Sequence, residues 1–439
     1  MKKVICFVLI TLSCLMAEEA LTLEGALAQA KLHSPKTIMI NREYEIARSQ
    51  AFQGYGAVLP SFQAKYSDVV RKSPVADAID LPPSFSFMSA MVAPGPEETK
   101  VKTTELSATW MVFSFAGFAA VGAANNALDL ADNQYKDAAE SLTLEITKAY
   151  YNLQSAVRVK ELTAKIATQA AAHAREVEIM YTNNMVSRKD FLDARIRMLD
   201  AKQGAFNGSL AHTIALQSFN SLLGYAITQN IVLATPNITL TPVPSQNTEE
   251  LTAYALKNKP AYKAFETLVK LAEADEWGTW GESLPQIFVN YSKQNNKYDK
   301  ETTYSLNGDT ETKMWFASWN FFSGGGANFH KMNAKKNAKE KIYAQKQLMQ
   351  ANIGMGVESA VSDLNVKAVN YAMALEQDSL ADESLKIAEI NFKEGASTST
   401  GYNDALAQKL SAEATRIKAA FDYAYAKANL NYAVGKEIQ

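Results

Sequence analysis

Apolar side chains along this chain follow two periods, arranged in blocks. Leu23, Ala26, Leu27 and Ala30 recur at helical spacing, as do Leu142, Ile146, Ala149 and Leu153, which predicts helices with one apolar face. From Gly122 to Thr182 there is no proline and no glycine after the first residue. At 1.5 Å per residue that stretch would run ~90 Å as a helix. Its counterpart, from Ala327 to Glu394, is similar, with Gly354 and Gly356 as candidate bends. Helices of this length cannot bury a face within a compact globule. They are expected to pack along one another in coiled-coil-like layers, where abundant alanine permits close approach.

Four segments between the helices alternate with period two. In the first, Phe62, Ala64 and Tyr66 alternate with Ser61, Gln63, Lys65 and Ser67. The second sets Leu106, Ala108, Trp110 and Val112 against Glu105, Ser107 and Thr109. The third sets Ile287, Val289 and Tyr291 against Gln286, Asn290 and Ser292, with Phe288 breaking the polar set. The fourth offers Trp315, Ala317, Trp319 and Phe321. This pattern fits strands between lipid and a watery lumen. A soluble sheet packed on helices alternates in the same way. The connections Ser73 to Lys100 and Asn296 to Thr312, long and rich in Pro, Gly, Asp and Ser, favour the outer end of a barrel. Four strands cannot close a barrel, and an open strand edge in lipid is costly. Two chains would supply eight strands and three would supply twelve; the pattern does not choose.

The blocks occur twice. TLEGALAQAKLHSP at 22–35 resembles NTEELTAYALKNKP at 247–260, an offset of 225 that also pairs Leu59-Pro60 with Leu284-Pro285 and Tyr66 with Tyr291. Trp110, Phe113 and Ser114 meet Trp319, Phe322 and Ser323 at 209, so the first copy has a loop sixteen residues longer. ITKAYYNL at 146–153 meets VESAVSDL at 357–364 at 211, and Tyr181–Tyr225 then runs ungapped against Phe392–Lys436. Six anchors in order indicate tandem duplication. The expected division is 18–225 for the first repeat, 226–246 for a linker and 247–439 for the second. Each repeat reads helix, strand, loop, strand, long helix, turn, helix. The fold class is therefore mostly α with a small β part.

Charge and chemistry narrow the picture. Lys2 and Lys3 followed by the apolar run Val4 to Leu15 read as an export leader cleaved after Ala17. Thr11-Leu12-Ser13-Cys14 lacks the leucine expected before a lipidated cysteine. Both cysteines, Cys6 and Cys14, lie in the leader, leaving no disulfide or cysteine metal site. Without the leader, 42 basic residues face 46 acidic ones, which gives no sign of a nucleic-acid partner. No later segment has the apolar length of a membrane helix. His33, His173, His212 and His330 have no metal-binding spacing. Gly324-Gly325-Gly326 lacks the Lys and Ser/Thr of a phosphate loop and reads as a strand-to-helix joint. No catalytic constellation and no cofactor are expected.

Taken together, the segments LTLEGALAQAKLHSP (21–35), AVLPSFQAKY (57–66), ITKAYYNLQSA (146–156) and DFLDARIRMLDA (190–201), with LPQIFVNY (284–291) and GYNDALAQKLSAEA (401–414), resemble the TolC-like outer-membrane efflux family over essentially the whole mature chain. The resemblance implies a homotrimer: a twelve-stranded barrel in outer-membrane lipid, continued by a periplasmic α-barrel. It also implies no enzymatic activity, and a periplasmic adaptor and an inner-membrane pump as partners. Adaptor docking at the helix tips is implied for Asn184, Met185 and Val186, and for Gly395, Ala396 and Ser397. Asn184 stands where glycine is usual, and Asn tolerates left-handed backbone. A periplasmic constriction is implied at Asp404, with Asp190 and Asp193 as first-copy counterparts. Gly401 and Ser397 depart from the family's usual aspartate and basic residue, so a latch built from those two is not implied. A periplasmic coiled-coil scaffold or adaptor protein without its own membrane barrel is the alternative from another class. A passive porin would need many more strands and less helix.

Overall fold

The computed structural model describes residues 20–72, 82–84, 98–236, 238–240, 247–299, 306–319, 326–394, 396 and 399–436. The expected leader, most of the Ser73–Lys100 connection, the Gly324-Gly325 pair and Phe321 lie outside the described residues.

The element order is α1 (Leu23–His33), α2 (Pro35–Gln53), β1 (Ser61–Lys72), β2 (Glu98–Phe113), α3 (Phe115–Thr182) and α4 (Arg188–Leu223), then α5 (Thr248–Asn258), α6 (Pro260–Gly281), β3 (Gln286–Tyr298), β4 (Gly308–Ser318), α7 (Ala327–Lys393) and α8 (Ser399–Val434). The second half repeats the first, and α3 and α7 run 68 and 67 residues. Thr22 and Asn247 cap α1 and α5 by accepting from the backbone N–H of Gly25 and Glu249, each at 3.1 Å. Pro35 and Pro260 then open α2 and α6. Proline forces the residue before it out of the helical region, and Ser34 and Lys259 are extended there. That is why each repeat begins with two helices rather than one.

The chain forms two compact units, and both repeats contribute to each. One comprises 1–43, 134–262 and 349–439; the other comprises 44–133 and 263–348. In the first unit, two apolar clusters use equivalent positions of the two repeats. Leu142, Ile146, Leu153, Phe219 and Leu223 fill one; Ile353, Val357, Leu364, Leu430 and Val434 fill the other. Burying each such side chain contributes roughly 1.5–3 kcal/mol relative to exposure. Beyond α4 the fully buried Asn220 amide donates to the carbonyls of Ala226, Ile227 and Gln229. The chain then pairs Leu21 with Leu233 in a parallel bridge. The Tyr150 hydroxyl donates to the carbonyls of Leu21 and Ala234, so part of the expected linker is tied into this core.

The second unit holds an antiparallel sheet in the order β1-β2-β3-β4. Three details depart from the sequence reading. β1 and β2 continue their pairing as far as Lys72↔Glu98, and β3 and β4 pair as far as Asn296↔Gly308. Ladder hydrogen bonds carry strand into the residues expected as loop. A bulge between Met111 and Phe113 brings Phe113, not Val112, opposite Ile287. β4 ends at Ser318, one residue before Trp319.

Equivalent glycines end α4 and α8 in left-handed backbone, Gly224 at φ 79° and Gly435 at φ 75°. Their surroundings differ. A Cβ on Gly224 would lie 2.3 Å from the His33 carbonyl oxygen, whereas one on Gly435 meets nothing nearer than 3.9 Å. Gly435→Ala should cost ~1 kcal/mol of backbone strain alone. Gly224→Ala should cost ~2 kcal/mol or more, because clash adds to strain. Thermal melts of the helical dichroism signal should rank the two variants in that order.

Candidate conduit elements: an inverted sheet and two helix tips

Residues directly opposite in the ladder share a face, which sorts the sheet into two sides. Phe62, Ala108 and Tyr291 align on one side; Trp110, Val289 and Trp315 align beside them. The other side carries Ser61, Thr109 and Asn290, then Gln63, Ser107, Ser292 and Thr312. Polar groups on that side bond to one another. The Asn290 amide donates to the Thr109 hydroxyl at 2.8 Å, and the Thr103 hydroxyl donates to the Asn296 side-chain Oδ1 at 2.9 Å. Phe288 stacks on Phe316 at 5.1 Å, so the residue that broke the polar alternation has an aromatic partner across the strand.

Exposure runs opposite to that of a water-soluble sheet. Along β3, Ile287, Val289 and Tyr291 are exposed, while Gln286, Phe288, Asn290, Ser292 and Gln294 are half-buried. Along β2, Leu106 and Trp110 are exposed, while Glu105, Ser107, Thr109 and Met111 are half-buried. A soluble sheet buries its apolar side against a core. Here the apolar side faces out. Beyond Tyr66 and Leu106 the outward side turns charged, with Asp68–Lys102 and Lys293–Asp309 at 3.9 and 3.3 Å. Among the described residues β1 and β4 each pair with one strand only, leaving two open edges.

All five tryptophans of the chain lie near the helix-proximal ends of the strands, with exposures from 45% to 76%. Trp277 and Trp280, in the last turn of α6, form an edge-to-face pair at 6.0 Å. The sequence reading omitted them because it searched for membrane residues only in period-two segments. The string WGTWG immediately before Leu284-Pro285 was the available signal. Two indoles also hold the chain. Trp110 Nε1–H donates to the Val58 carbonyl at 3.0 Å, and Trp319 Nε1–H donates to the Ser283 carbonyl at 3.1 Å. These are equivalent bonds in the two repeats, each joining a strand exit to the residue before a Leu-Pro pair. Amphipathic indoles gather where one end of the ring is apolar and the other wet.

The helix tips belong to the other unit. Asn184 has φ 56°. Its N–H donates to the Tyr181 carbonyl at 2.9 Å, and that of Met185 donates to the Met180 carbonyl at 2.8 Å, the paired bonds of a Schellman turn. At the second tip, Ala396 N–H donates to the Asn391 carbonyl at 2.8 Å, the equivalent of the Met185 bond. Gly395 and Ser397 lie outside the described residues. Met185 is 72% exposed, whereas Val186 packs against Ala174, Val177 and Ala194. Val186 is therefore a core residue of its tip as well as a docking candidate. Asp190 closes a capping box with Ser187, which engages its carboxylate in helix initiation.

Asp404 is exposed but not solitary: Arg197 of α4 donates to it at 2.7 Å. Asp193 is half-buried on α4 and stays in the first repeat's tip. Aromatic stacks brace both tips at equivalent positions, Tyr181–Phe191 at 5.0 Å and Phe392–Tyr402 at 5.7 Å. Only the second stack receives a histidine from another helix. His173 of α3 lies 5.9 Å from the Phe392 ring and 5.6 Å from Tyr402, with the Asn403 amide 3.3 Å from its Nε2. Burial lowers the His173 pKa from its ordinary value; Glu176 opposes that shift and Arg197 adds to it. The folded tip thus favours the neutral ring. Acid favours the unfolded chain, so this contribution is present above about pH 6.5 and shrinks as pH falls toward the lowered folded pKa. Amide exchange around residues 388–392 and 402–406, corrected for intrinsic rates, should quicken over that window. In His173→Phe, which keeps the ring packing, the pH step should vanish.

No family model matches the chain, and no curated protein matches it in sequence. Solved structures do. The CmeC outer membrane channel of Campylobacter jejuni aligns with a TM-score of 0.81 at 14% identity, over 94% of this chain and 85% of that one. The outer membrane protein VceC of Vibrio cholerae aligns at 0.75 and 14% identity, over 95% and 97%. The MtrE outer membrane channel of Neisseria gonorrhoeae, in its open state, aligns at 0.76 and 17% identity, over 95% and 89%. At such identities the likeness is one of fold, and this chain has the fold of those outer-membrane channels.

Proposed function

We propose that the protein is one of three identical chains of an outer-membrane exit duct. The duct passes small molecules or polypeptides from a periplasmic adaptor and inner-membrane pump to the outside, after removal of a leader at 1–17. The observation that carries this reading is the inverted sheet: apolar side out, polar side half-covered on the two central strands, both edges open. In lipid the outward side is solvated by acyl chains, while each unpaired backbone group would cost several kcal/mol. Only pairing with further copies removes that cost. A periplasmic scaffold would have no use for an exposed apolar sheet ringed by tryptophans.

Two helical stripes support assembly into a ring. On α4, Leu192, Ile196, Leu199, Phe206 and Leu210 are exposed at heptad-like spacing. On α7, Val366, Val369, Met373, Leu380 and Ile387 are exposed in the same manner. Arg188, Arg195 and Lys202 follow one stripe at seven-residue steps, and Glu376 and Glu383 lie along the other. Unlike stripes of unlike charge make a head-to-tail contact, which generates a ring when the rotation between copies closes. Threefold closure gives twelve strands, the count that the family resemblance implies.

The tips serve as the docking end, and Asp404 with its Arg197 partner lines the periplasmic mouth. Two measurements test the assignment. Arg195→Glu with Lys202→Glu should reduce the trimer fraction in mild detergent by native mass measurement, and Glu376→Lys with Glu383→Lys in the same chain should restore it. A protein that is monomeric before mutation, or found in the soluble periplasm, overturns the duct. Met185→Glu with Ala396→Glu should abolish export in cells while the trimer persists; unchanged export removes the docking role from the tips.

A further inference from the structure

Two grooves flank the seam between α3 and α8, both within the first unit. One is lined partly by Thr235, Pro236 and Ile238. The other is open, measures about 550 Å³, and is walled by Tyr151, Phe421 and Tyr425, with Lys148 and Lys418 at its sides. We infer that this second groove binds a small aromatic anion, a planar apolar body bearing a sulfonate or carboxylate.

The charge pattern carries the inference. Several basic groups elsewhere near this seam are matched: Arg158 with Glu161 at 3.1 Å, Lys409 and Arg416 with Asp378 at 2.8 and 2.9 Å. Lys165 of the first groove has no such ion pair among the described residues, but no second lysine and no pair of tyrosines stand beside it there. Asp422, the carboxylate on the groove wall, is held by Lys367 at 3.3 Å. Among the described residues neither Lys148 nor Lys418 has a carboxylate within ion-pair distance. Lys148 instead rests over the Tyr425 ring at 5.5 Å, and Tyr151 and Phe421 lie 6.3 Å apart, centre to centre. Two uncompensated ammonium groups beside three rings form a surface with an electrostatic demand and an apolar floor. An aromatic anion satisfies both, placing its acidic group on the lysines and its ring against the tyrosines. The Asn152 amide and the Ser155 hydroxyl lie along the same wall and can donate to the same acid. The volume falls within the span of small-molecule sites, roughly 300–1,000 Å³.

The duplication supplies an internal control. At the equivalent positions of the other repeat, Lys148 becomes Ser359, Tyr151 becomes Ser362, Lys418 becomes Asn207, Phe421 becomes Leu210 and Tyr425 becomes Ile214. Equivalent helices are thus built without either lysine or any of the three rings. Helix formation does not require this set, and it occurs once per chain.

The groove is formed within one chain, so the inference stands independently of the proposed assembly. Its test is equilibrium dialysis of the full-length protein in lipid nanodiscs, with empty nanodiscs subtracted. The probe is naphthalene-2-sulfonate; naphthalen-2-ylmethylammonium reverses the charge, and inorganic sulfate omits the ring. Saturable binding of the sulfonate is expected, with no saturable binding of the ammonium compound and much weaker binding of sulfate. Lys148→Gln and Lys418→Gln should each weaken the sulfonate by about tenfold, the worth of one charge-assisted hydrogen bond. Tyr425→Leu should weaken it while leaving sulfate unchanged. Both lysines are exposed, so their variants should fold, which an unchanged thermal melt verifies. Equal binding of the sulfonate and the ammonium compound overturns the inference. So does sulfonate binding that survives the double lysine variant.

Discussion

Backbone polar groups away from water must find partners, and in the proposed membrane setting that constraint governs the second compact unit. Its four strands satisfy one another internally and leave the outer edges of β1 and β4 open. The outward side carries Phe62, Trp110, Tyr291 and Trp315, side chains suited to the hydrocarbon of the proposed membrane setting. The opposite side carries Asn290, Thr109 and Thr103, of which Asn290 bonds Thr109 and Thr103 bonds Asn296; in the proposed duct this side would meet water. Inverting the usual disposition leaves the sheet without a hydrophobic core of its own. Its coherence comes from ladder hydrogen bonds, cross-strand pairs such as Phe288–Phe316, and the indole-to-carbonyl bonds of Trp110 and Trp319.

The other unit solves the opposite problem. Its helices meet water, so they bury Phe219, Leu223, Leu430 and Val434 in two matching clusters. Leucine and isoleucine stripes nevertheless remain uncovered along α4 and α7. A single chain therefore satisfies its own helical cores but neither its strand edges nor these stripes. Both deficits would be relieved by neighbours of the same kind, as in the proposed ring.

Much of this was legible in the sequence, and the reason is periodicity. Helices and strands announce themselves by spacing, and duplication announces itself by repetition at 225, 209 and 211 residues. Even the left-handed backbone at Asn184 followed from residue type. What escaped was contact between positions far apart. Arg197 and Asp404 are separated by 207 residues and His173 and Asn403 by 230, and no local pattern marks either pair. The bulge at Met111 escaped because ladder register is a property of two strands together. The packing of Val186 against the cluster of Ala174, Val177 and Ala194 escaped because the family resemblance marks the tip for docking without saying which of its side chains turn inward.

The matching halves are not identical, and the differences have a consequence for symmetry. A ring of three such chains would place six long-helix seams around one axis. The lysine groove and the His173 wedge each occur in only one kind of seam. Such features would recur at every second seam, three times rather than six. In such a ring the repetition within the chain would give the wall two independently mutable surfaces at alternating positions. One kind of seam could then change toward ligands or pH response while the other kept the wall closed.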